Sequence, residues 1–321
     1  MKVSAAMTTY NGKEYLVKQL DSLRTQLRPF DEVIICDDAS FDGTPDLLQK
    51  YQFRHSDFPM YIHRGTENIG FEKNFLRAIR QCTGDVIFCC DQDDIWEPQK
   101  VLMMCRILSE NPGIDALACS FTMIDGKDEP VAVVPTRGWS NNNLYPGVVT
   151  DGALVQVTPE KLIFQNICQG CALAFRKDIR DEFLDRFTEH LHYDWQLTLL
   201  AASKGGLWFC NQPLIRYRIH ARNALGFSGN TDPMARMSRE FRTKQAREGL
   251  AAASYLKKTA PEVFSGDPGI LRRAGFLKKQ LENLEKKRTF RLLLQMADPL
   301  YRELRQGRRG RAADLLYTLQ R

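Results

Sequence analysis

The chain has 321 residues, 43% apolar and 26% charged, which is enough to bury a large core in one domain or two and excludes a disordered or fibrous protein. Its net charge of +6 hides an asymmetry: residues 231–321 carry 21 Lys/Arg against 10 Asp/Glu, and the first 230 carry 24 against 29. An acidic front and a cationic tail imply chemistry in 1–230 and attachment in 231–321.

Residues 3–7 read as a strand that ends in Thr8-Thr9-Tyr10-Asn11-Gly12, and 13–26 as a helix with apolar spacing near 3.6. A second strand, 33–36, runs into Asp37-Asp38-Ala39-Ser40-Phe41-Asp42-Gly43-Thr44, followed by a helix over 44–53. Asp42, Gly43 and Thr44 suit a turn and a helix cap. Asp38, an acceptor only when ionised, suits the imide N–H of uracil or thymine. The third strand, 60–63, leads to Glu67-Asn68-Ile69-Gly70-Phe71-Glu72-Lys73-Asn74 and a helix over 71–81. There Gly70 allows close backbone approach, and Asn74 faces the same side one turn later; a helix-start role competes with this reading. Neither Gly-x-Gly-x-x-Gly nor a phosphate-loop lysine is present.

Val86-Ile87-Phe88-Cys89-Cys90 is an unbroken apolar run that stops at Asp91-Gln92-Asp93-Asp94. Such a run reads as a strand buried on both faces of a parallel sheet, and the acids fall at its carboxyl end, where open α/β sheets bind ligands. Like charges gathered there ask for a cation, and Asp-x-Asp offers hard oxygen ligands to Mg2+ or Mn2+ with positions left for a diphosphate. A helix over 97–109, with Pro98 just inside its start, and a strand over 116–121 follow. The alternation implies a doubly wound, mainly parallel sheet.

Residues 126–165, rich in Gly, Pro and Asn, read as an extended connection lining a site. Asn166-Ile167-Cys168-Gln169-Gly170-Cys171 precedes an apolar strand-like run. Then come a helical stretch over 176–204, strands over 207–209 and 214–219, and helices from 232 onward. Among the nine cysteines, Cys36, Cys89, Cys90 and Cys119 lie in strand-like runs as small hydrophobes, and Cys168 and Cys171 lack partners to complete a zinc site. Free thiols, no signal peptide and no spanning apolar run lead to an expected cytoplasmic setting.

Thr-Tyr-Asn-Gly, Asp-Asp-Ala-Ser-x-Asp-Gly-Thr, Asn-x-Gly and Asp-Gln-Asp-Asp, in this order, resemble the family 2 glycosyltransferases, whose nucleotide-sugar-binding fold is called GT-A. The resemblance covers roughly residues 1–225. Asp-Gln-Asp-Asp-x-Trp and the downstream Tyr-Arg-x-His-x-x-Asn look most like bacterial rhamnosyltransferases of cell-surface polysaccharide synthesis. The resemblance implies that Thr9, Tyr10 and Asp38 hold the base and that Asn11, Asn68, Gly70, Asn74 and Gln92 line the nucleotide pocket. Asp91 and Asp93 would carry the metal and diphosphate, with Mn2+ or Mg2+ as cofactor and His220 completing its shell. Trp96, Gln169, Gly170 and Trp195 would shape the donor and acceptor pocket, and Arg218 would neutralise phosphate.

Inverting transfer needs a base to take the acceptor hydroxyl's proton, and the resemblance, in which the base is an Asp before a helix, implies Asp194, at a helix start, for that role. The macrodipole there favours its ionised form, and the competing reading makes it a helix cap. The missing Gln-x-x-Arg-Trp signature of processive synthases argues for transfer of one sugar or a few. The implied reaction is transfer of L-rhamnose from dTDP-rhamnose to a lipid-linked or growing glycan. Alternatives are a UDP-hexose (galactose or glucose) transferase, a sugar-phosphate nucleotidyltransferase, and an inactive sugar-nucleotide-binding module.

In the tail, Leu271, Ala274, Leu277, Leu281 and Leu284 form a helical stripe with lysines and arginines between them, and 290–304 repeats the pattern. The stripes are expected to pack on the catalytic domain or a second copy in a homodimer, and the surplus charge to meet an anionic membrane surface peripherally. No nucleic-acid-binding motif accompanies the charge, so no nucleic-acid partner is expected.

Overall fold

The computed structural model describes residues 1–132, 139–140, 145–146, 150–220, 238–304 and 308–319. The chain divides into two compact units, Met1–Val133 with Val149–Val157 and Cys168–Ile219, and Val134–Val148 with Thr158–Ile167 and His220–Arg321.

In the first unit β1 (Val3–Thr9), β2 (Glu32–Asp37), β3 (Met60–Arg64) and β4 (Val86–Cys90) alternate with α1 (Leu16–Arg24), α2 (Thr44–Arg54) and α3 (Phe71–Gln81). All four pair in parallel, with Thr9 beside Asp37 and Met7 beside Cys90. β1, β2 and β4 are buried along their whole length, because helices cover both faces. Next in order come β5 (Ile95–Trp96), α4 (Lys100–Glu110), β6 (Ala116–Ile124), β9 (Leu154–Gln156), the 3-10 turn Gly170–Ala172, β10 (Leu173–Arg176), α6 (Lys177–Arg186), α7 (Tyr193–Ser203) and β11 (Leu207–Arg218). The nine-stranded sheet runs β3-β2-β1-β4-β10-β6-β11-β5, with β9 also on β11. β10 lies antiparallel between β4 and β6, so the sheet is mixed and mainly parallel, with flanking helices, as the GT-A resemblance implies.

Three expectations are corrected. The helix foreseen from residue 97 begins at Lys100, because Ile95 and Trp96 pair with Arg216 and Ile215 and the Glu97 amide donates to Leu214 O, leaving Pro98 in the preceding turn. The stretch 176–204 is a strand end and two helices. Its break is closed by the Gln196 amide, which accepts from Thr188 N and donates to Thr188 O and Leu191 O. The strands foreseen at 207–209 and 214–219 are one strand, whose pairing with β6 slips on either side of Pro213, a residue with no N–H to give.

The second unit contains the hairpin β7 (Trp139–Ser140) and β8 (Tyr145–Pro146), then α5 (Pro159–Leu162). Its helices are α8 (Arg239–Thr259), α9 (Pro261–Gly266), α10 (Pro268–Glu285), α11 (Thr289–Gln295), α12 (Pro299–Leu304) and α13 (Arg308–Leu319). Ser238 caps α8 through the Phe241 amide, and Asp267 caps α10 through the Gly269 and Ile270 amides. Ile163, Leu256, Ile270, Leu277, Leu284, Leu292 and Tyr301 form its apolar core. Ile270 replaces Leu271 on the foreseen stripe, since Leu271 is exposed. A buried Arg242–Asp314 pair at 3.3 Å, joined by the Tyr301 hydroxyl at 2.9 Å, crosslinks α8, α12 and α13. No helix among the described residues is long and apolar enough to cross a membrane.

Candidate active site

Parallel pairing puts the carboxyl ends of β1, β2 and β4 along one edge of the sheet, and the loops leaving them are tied together by side chains. Thr9 Oγ1 donates to Asp37 Oδ1 at 2.8 Å, Ser40 also donates to Asp37, and the Asn11 amide donates to Ser40 Oγ at 2.8 Å. Asn11 Oδ1 accepts from Phe41 N at 3.0 Å, so Thr9 and Asn11 build the ledge. Tyr10 stands on it, 42% exposed and edge-on to the exposed Phe41 ring. Gln92 locks the β4 loop to this ledge, accepting from Tyr10 N at 2.8 Å and donating to Tyr10 O at 3.1 Å.

Asp38 is buried and accepts the Ile69 and Gly70 amides at 3.0 and 2.9 Å. Each oxygen keeps a second lone pair. Gly70 reaches this position at φ +83, a conformation costly for any residue with a Cβ. Asn68 is exposed and accepts the same Gly70 amide at 3.1 Å. Asn74 is buried; its Nδ2 donates to Cys36 O at 2.8 Å, and its Oδ1 has no hydrogen-bond partner.

The acids after β4 form the electrostatic centre. Asp91, Asp94 and Cys171 present ligand atoms within 4.8 Å of one another. Asp94 Oδ1 accepts the Arg218 amide at 3.0 Å, while Oδ2 is buried without a hydrogen bond. Burial, then the charge of Asp93, pushes the Asp94 carboxyl up to about 7. Burial and the charges of Asp94, Asp93 and Asp194 push Asp91 well above the carboxylate range. A fully buried cation, Lys100, stands among them: its Nζ donates to Cys171 O at 2.6 Å and sits 3.2 Å from the centre of the Trp96 ring. Burial lowers the Lys100 pKa, and the nearby acid and thiol groups oppose that shift.

Two crowded carboxylates and a buried, unbonded oxygen are the donor set a hard divalent ion takes, so Mg2+ or Mn2+ fits at Asp91 and Asp94. The Cys171 thiol fits less well, because burial and the two carboxylates hold it protonated. Asp93, foreseen with Asp91 as a metal ligand, is half-buried alongside, and the three atoms that gather most closely are those of Asp91, Asp94 and Cys171. His220 belongs to the second unit. Asn223 of the downstream motif falls outside the described residues.

Asp194 lies in the first turn of α7, and its oxygens accept the Gly170 amide at 3.0 Å and the Trp195 amide at 2.7 Å. A Cβ at position 170 would run into the Tyr193 hydroxyl, so only glycine brings this amide so close. Burial first, and the charge of Glu72 second, raise the Asp194 carboxyl to about 6, against the pull of His192 and the two amides. Desolvation therefore outweighs the macrodipole that was expected to keep it ionised. Glu72, on α3, holds this helix start by accepting Tyr193 N at 2.7 Å and meeting His192 Nδ1 at 2.5 Å. Stacking of Phe75 on Tyr193, 4.1 Å between centroids, fixes the same joint.

Three pocket assignments are corrected. Trp96 is 1% exposed, packed with Phe30 and Phe88 and supporting Lys100, so it has no face left for a donor. Trp195 is likewise buried. Arg218 is fully buried, with Nε donating to Asp93 O at 2.7 Å and Nη1 to Asp125 O at 2.8 Å, and it pairs with Asp128 at 2.5 Å. It braces the acidic loop from within. Gln169 is half-buried at the mouth of the 3-10 turn, and Gly170 serves as Asp194's anchor. Glu72 and Lys100 were not foreseen. Lys100 had a signal, since it shares a helical face with Met104 and Leu108; Glu72 had none.

The family described as Glycosyl transferase family 2 matches residues 4–180. An uncharacterized protein of Mycobacterium tuberculosis is 27% identical over 232 residues, 72% of this chain and 62% of that relative, so the match spans about three fifths of the relative's length. The dTDP-rhamnosyl transferase RfbG of Shigella flexneri is 25% identical over 268 residues, 80% of this chain and 83% of that protein. The structure of mannosyltransferase PcManGT from Pyrobaculum calidifontis, in complex with GDP-Man and Mn2+, aligns with a TM-score of 0.54 at 18% identity, covering 99% of this chain and 86% of that one.

Proposed function

Since the chain belongs to glycosyl transferase family 2, we propose that it is an inverting, divalent-metal-dependent glycosyltransferase acting on a nucleotide sugar. The donor we assign is dTDP-L-rhamnose, and the acceptor a lipid-linked or growing bacterial surface glycan. One observation carries the reading: the Gly170 amide holds Asp194 Oδ2 at 3.0 Å, and the adjacent Cys171 places its thiol within 4.8 Å of ligand oxygens of Asp91 and Asp94, so the base and the acid cluster share one turn of backbone. A base with a pKa near neutrality, close to the acids that bind diphosphate, is what inverting transfer requires.

In this mechanism Tyr10 and Asn68 meet the nucleotide, and the buried Asp38 and Asn74 shape its pocket from behind, Asp38 through the Ile69 and Gly70 amides and Asn74 through Cys36 O. Asp91 and Asp94, with Asp93 beside them, would hold Mg2+ or Mn2+, which supplies positive charge to the departing diphosphate. Asp194 takes the proton of the acceptor hydroxyl as the acceptor's oxygen bonds to the anomeric carbon from the face opposite the breaking C–O bond. The nucleoside diphosphate leaves with that bond's electron pair, and the sugar's configuration inverts. The Gly170 and Trp195 amides hold Asp194 in place throughout.

The donor assignment draws on the likeness to RfbG, named for dTDP-rhamnosyl transfer. The metal assignment draws on the acid cluster and on the Mn2+ in the mannosyltransferase complex. The test presents dTDP-rhamnose, UDP-glucose, UDP-galactose and GDP-mannose with Mn2+, Mg2+ or chelator, measuring binding by calorimetry and released nucleoside diphosphate by coupled assay. Metal-dependent release from dTDP-rhamnose above all others is expected. Preference for a UDP-hexose would replace the donor. Pyrophosphate made from a nucleoside triphosphate and a sugar phosphate would replace the reaction, and tight binding with no turnover of any donor would make the chain a binding module.

A further inference from the structure

We propose that α11 and α13 together form a docking face for an anionic lipid surface, a property that goes beyond the catalytic reading and does not rest on it. On α11, Phe290, Leu293 and Leu294 share one face at i, i+3 and i+4, with Phe290 73% and Leu294 62% exposed. On α13, Ala312, Leu316 and Leu319 share a face at i, i+4 and i+7, with Leu319 60% exposed. The core-facing residues differ: Leu292, Asp314 and Tyr317 are buried. The two helices are joined where Thr289 Oγ1 donates to Thr318 O at 3.3 Å and Lys287 Nζ approaches the Tyr317 ring at 5.5 Å. The start of α11 therefore lies against the end of α13, at residues adjacent in the chain to Phe290 and Leu319. Large side chains left in water in this concentration mark an interaction surface.

Charge identifies the occupant. Lys286, Lys287 and Arg288 lead directly into α11, Lys286 and Arg288 sharing the single carboxylate of Glu282, and Arg291 projects from the helix, exposed, between the apolar residues. Across residues 286–321 ten Lys/Arg stand against three Asp/Glu. An apolar face rimmed by cations matches the interface of a bilayer that carries anionic headgroups: the rings and leucines enter the acyl boundary, and the cations stay with phosphate. A second copy of the same face would bring two cationic rims together, which works against a symmetric dimer here. Phe290 is the one aromatic ring among the leucines of this face, too little for the run of stacked bases a single strand needs, which works against nucleic acid.

The test is flotation of the full chain with vesicles of phosphatidylcholine alone or mixed with phosphatidylglycerol, at low and high salt. Binding to the anionic vesicles, weakened about tenfold or more on neutral ones and by high salt, is expected. Phe290→Glu with Leu294→Glu, both exposed, should abolish flotation while leaving the melting temperature unchanged, and Arg291→Glu, also exposed, should weaken flotation with the melting temperature again unchanged. Flotation that survives the apolar substitutions would overturn the proposal, as would equal binding to neutral vesicles. So would an absence of flotation, whether the chain sediments as a monomer or as a dimer that the Phe290/Leu294 variant dissociates.

Discussion

The Gly170 amide donates to Asp194 Oδ2 at 3.0 Å, and the next residue, Cys171, packs its thiol against Asp91 and Asp94. One turn of backbone thus joins the proposed base to the acids proposed for the metal. Gly170→Ala should disturb both at once, because the added methyl meets the Tyr193 hydroxyl. Turnover is expected to fall at least about tenfold, with a stability loss of about 1–3 kcal/mol from overpacking. Tyr193→Phe in the same chain removes the nearest clashing atom and should restore part of both, as a double-mutant cycle in kcat and melting temperature would show.

Asp194→Asn keeps the shape of the side chain and removes the base. Expected is a loss of about two to four powers of ten in kcat, with donor affinity nearly intact. Calorimetric donor titration beside a turnover assay checks this, and normal turnover would remove Asp194 from the mechanism.

The pH profile follows from the same carboxyl. With Mn2+ saturating, so that the acids proposed to hold it stay ionised, kcat/KM should rise with pH as Asp194 loses its proton at about 6 and level off above that value. Glu72 raises this pKa through its negative charge. Glu72→Gln removes the charge and should move the acid limb to lower pH, a displacement that a merely loosened helix start would not produce. A profile that drops in height without moving would show that Glu72 acts by position alone.

The parallel half of the sheet was legible because strands buried on both faces leave continuous apolar runs, and β1, β2 and β4 are such strands. Asp91 and Asp194 were legible as acids at a strand end and a helix start, chemistry written in adjacent residues. What stayed hidden was set by distant contacts. β5 spans two residues and exists only because β11 pairs with it. Glu72 meets Tyr193 across 121 positions. Arg218 and Trp96 look the same in sequence whether a side chain faces ligand or core, and burial alone decided that both face inward.

Metal should change how stability depends on pH. Asp194 and Asp94 hold their protons to about 6 and 7 in the folded chain, whereas unfolded carboxyls release them near pH 4. Between those limits the folded state binds more protons, so stability contributed by these groups falls as pH rises from about 4 to about 7. In chelator the melting temperature is expected to decline over that range. Mn2+ binds the ionised acids and should offset the decline most strongly at the upper end, by an amount that grows with metal concentration. An unchanged melting curve with Mn2+, in wild type as in Asp94→Asn, would remove the metal from this site.

Arg218 separates bracing from phosphate binding. A phosphate ligand lost from the surface would weaken donor binding and leave the fold alone. The buried guanidinium instead joins Asp93 O, Asp125 O and Asp128, and the backbone amide of the same residue holds Asp94. Asp128 is partly exposed and keeps Lys18, so the main cost of removing the guanidinium is two backbone carbonyls left without their donor, about 1–3 kcal/mol each. Arg218→Met should therefore lower the melting temperature sharply even without donor or metal. Arg218→Lys should recover little of it, since an ammonium cannot span the acceptors that the guanidinium fork reaches. A Met variant with wild-type stability and a raised donor Kd would return Arg218 to the phosphate.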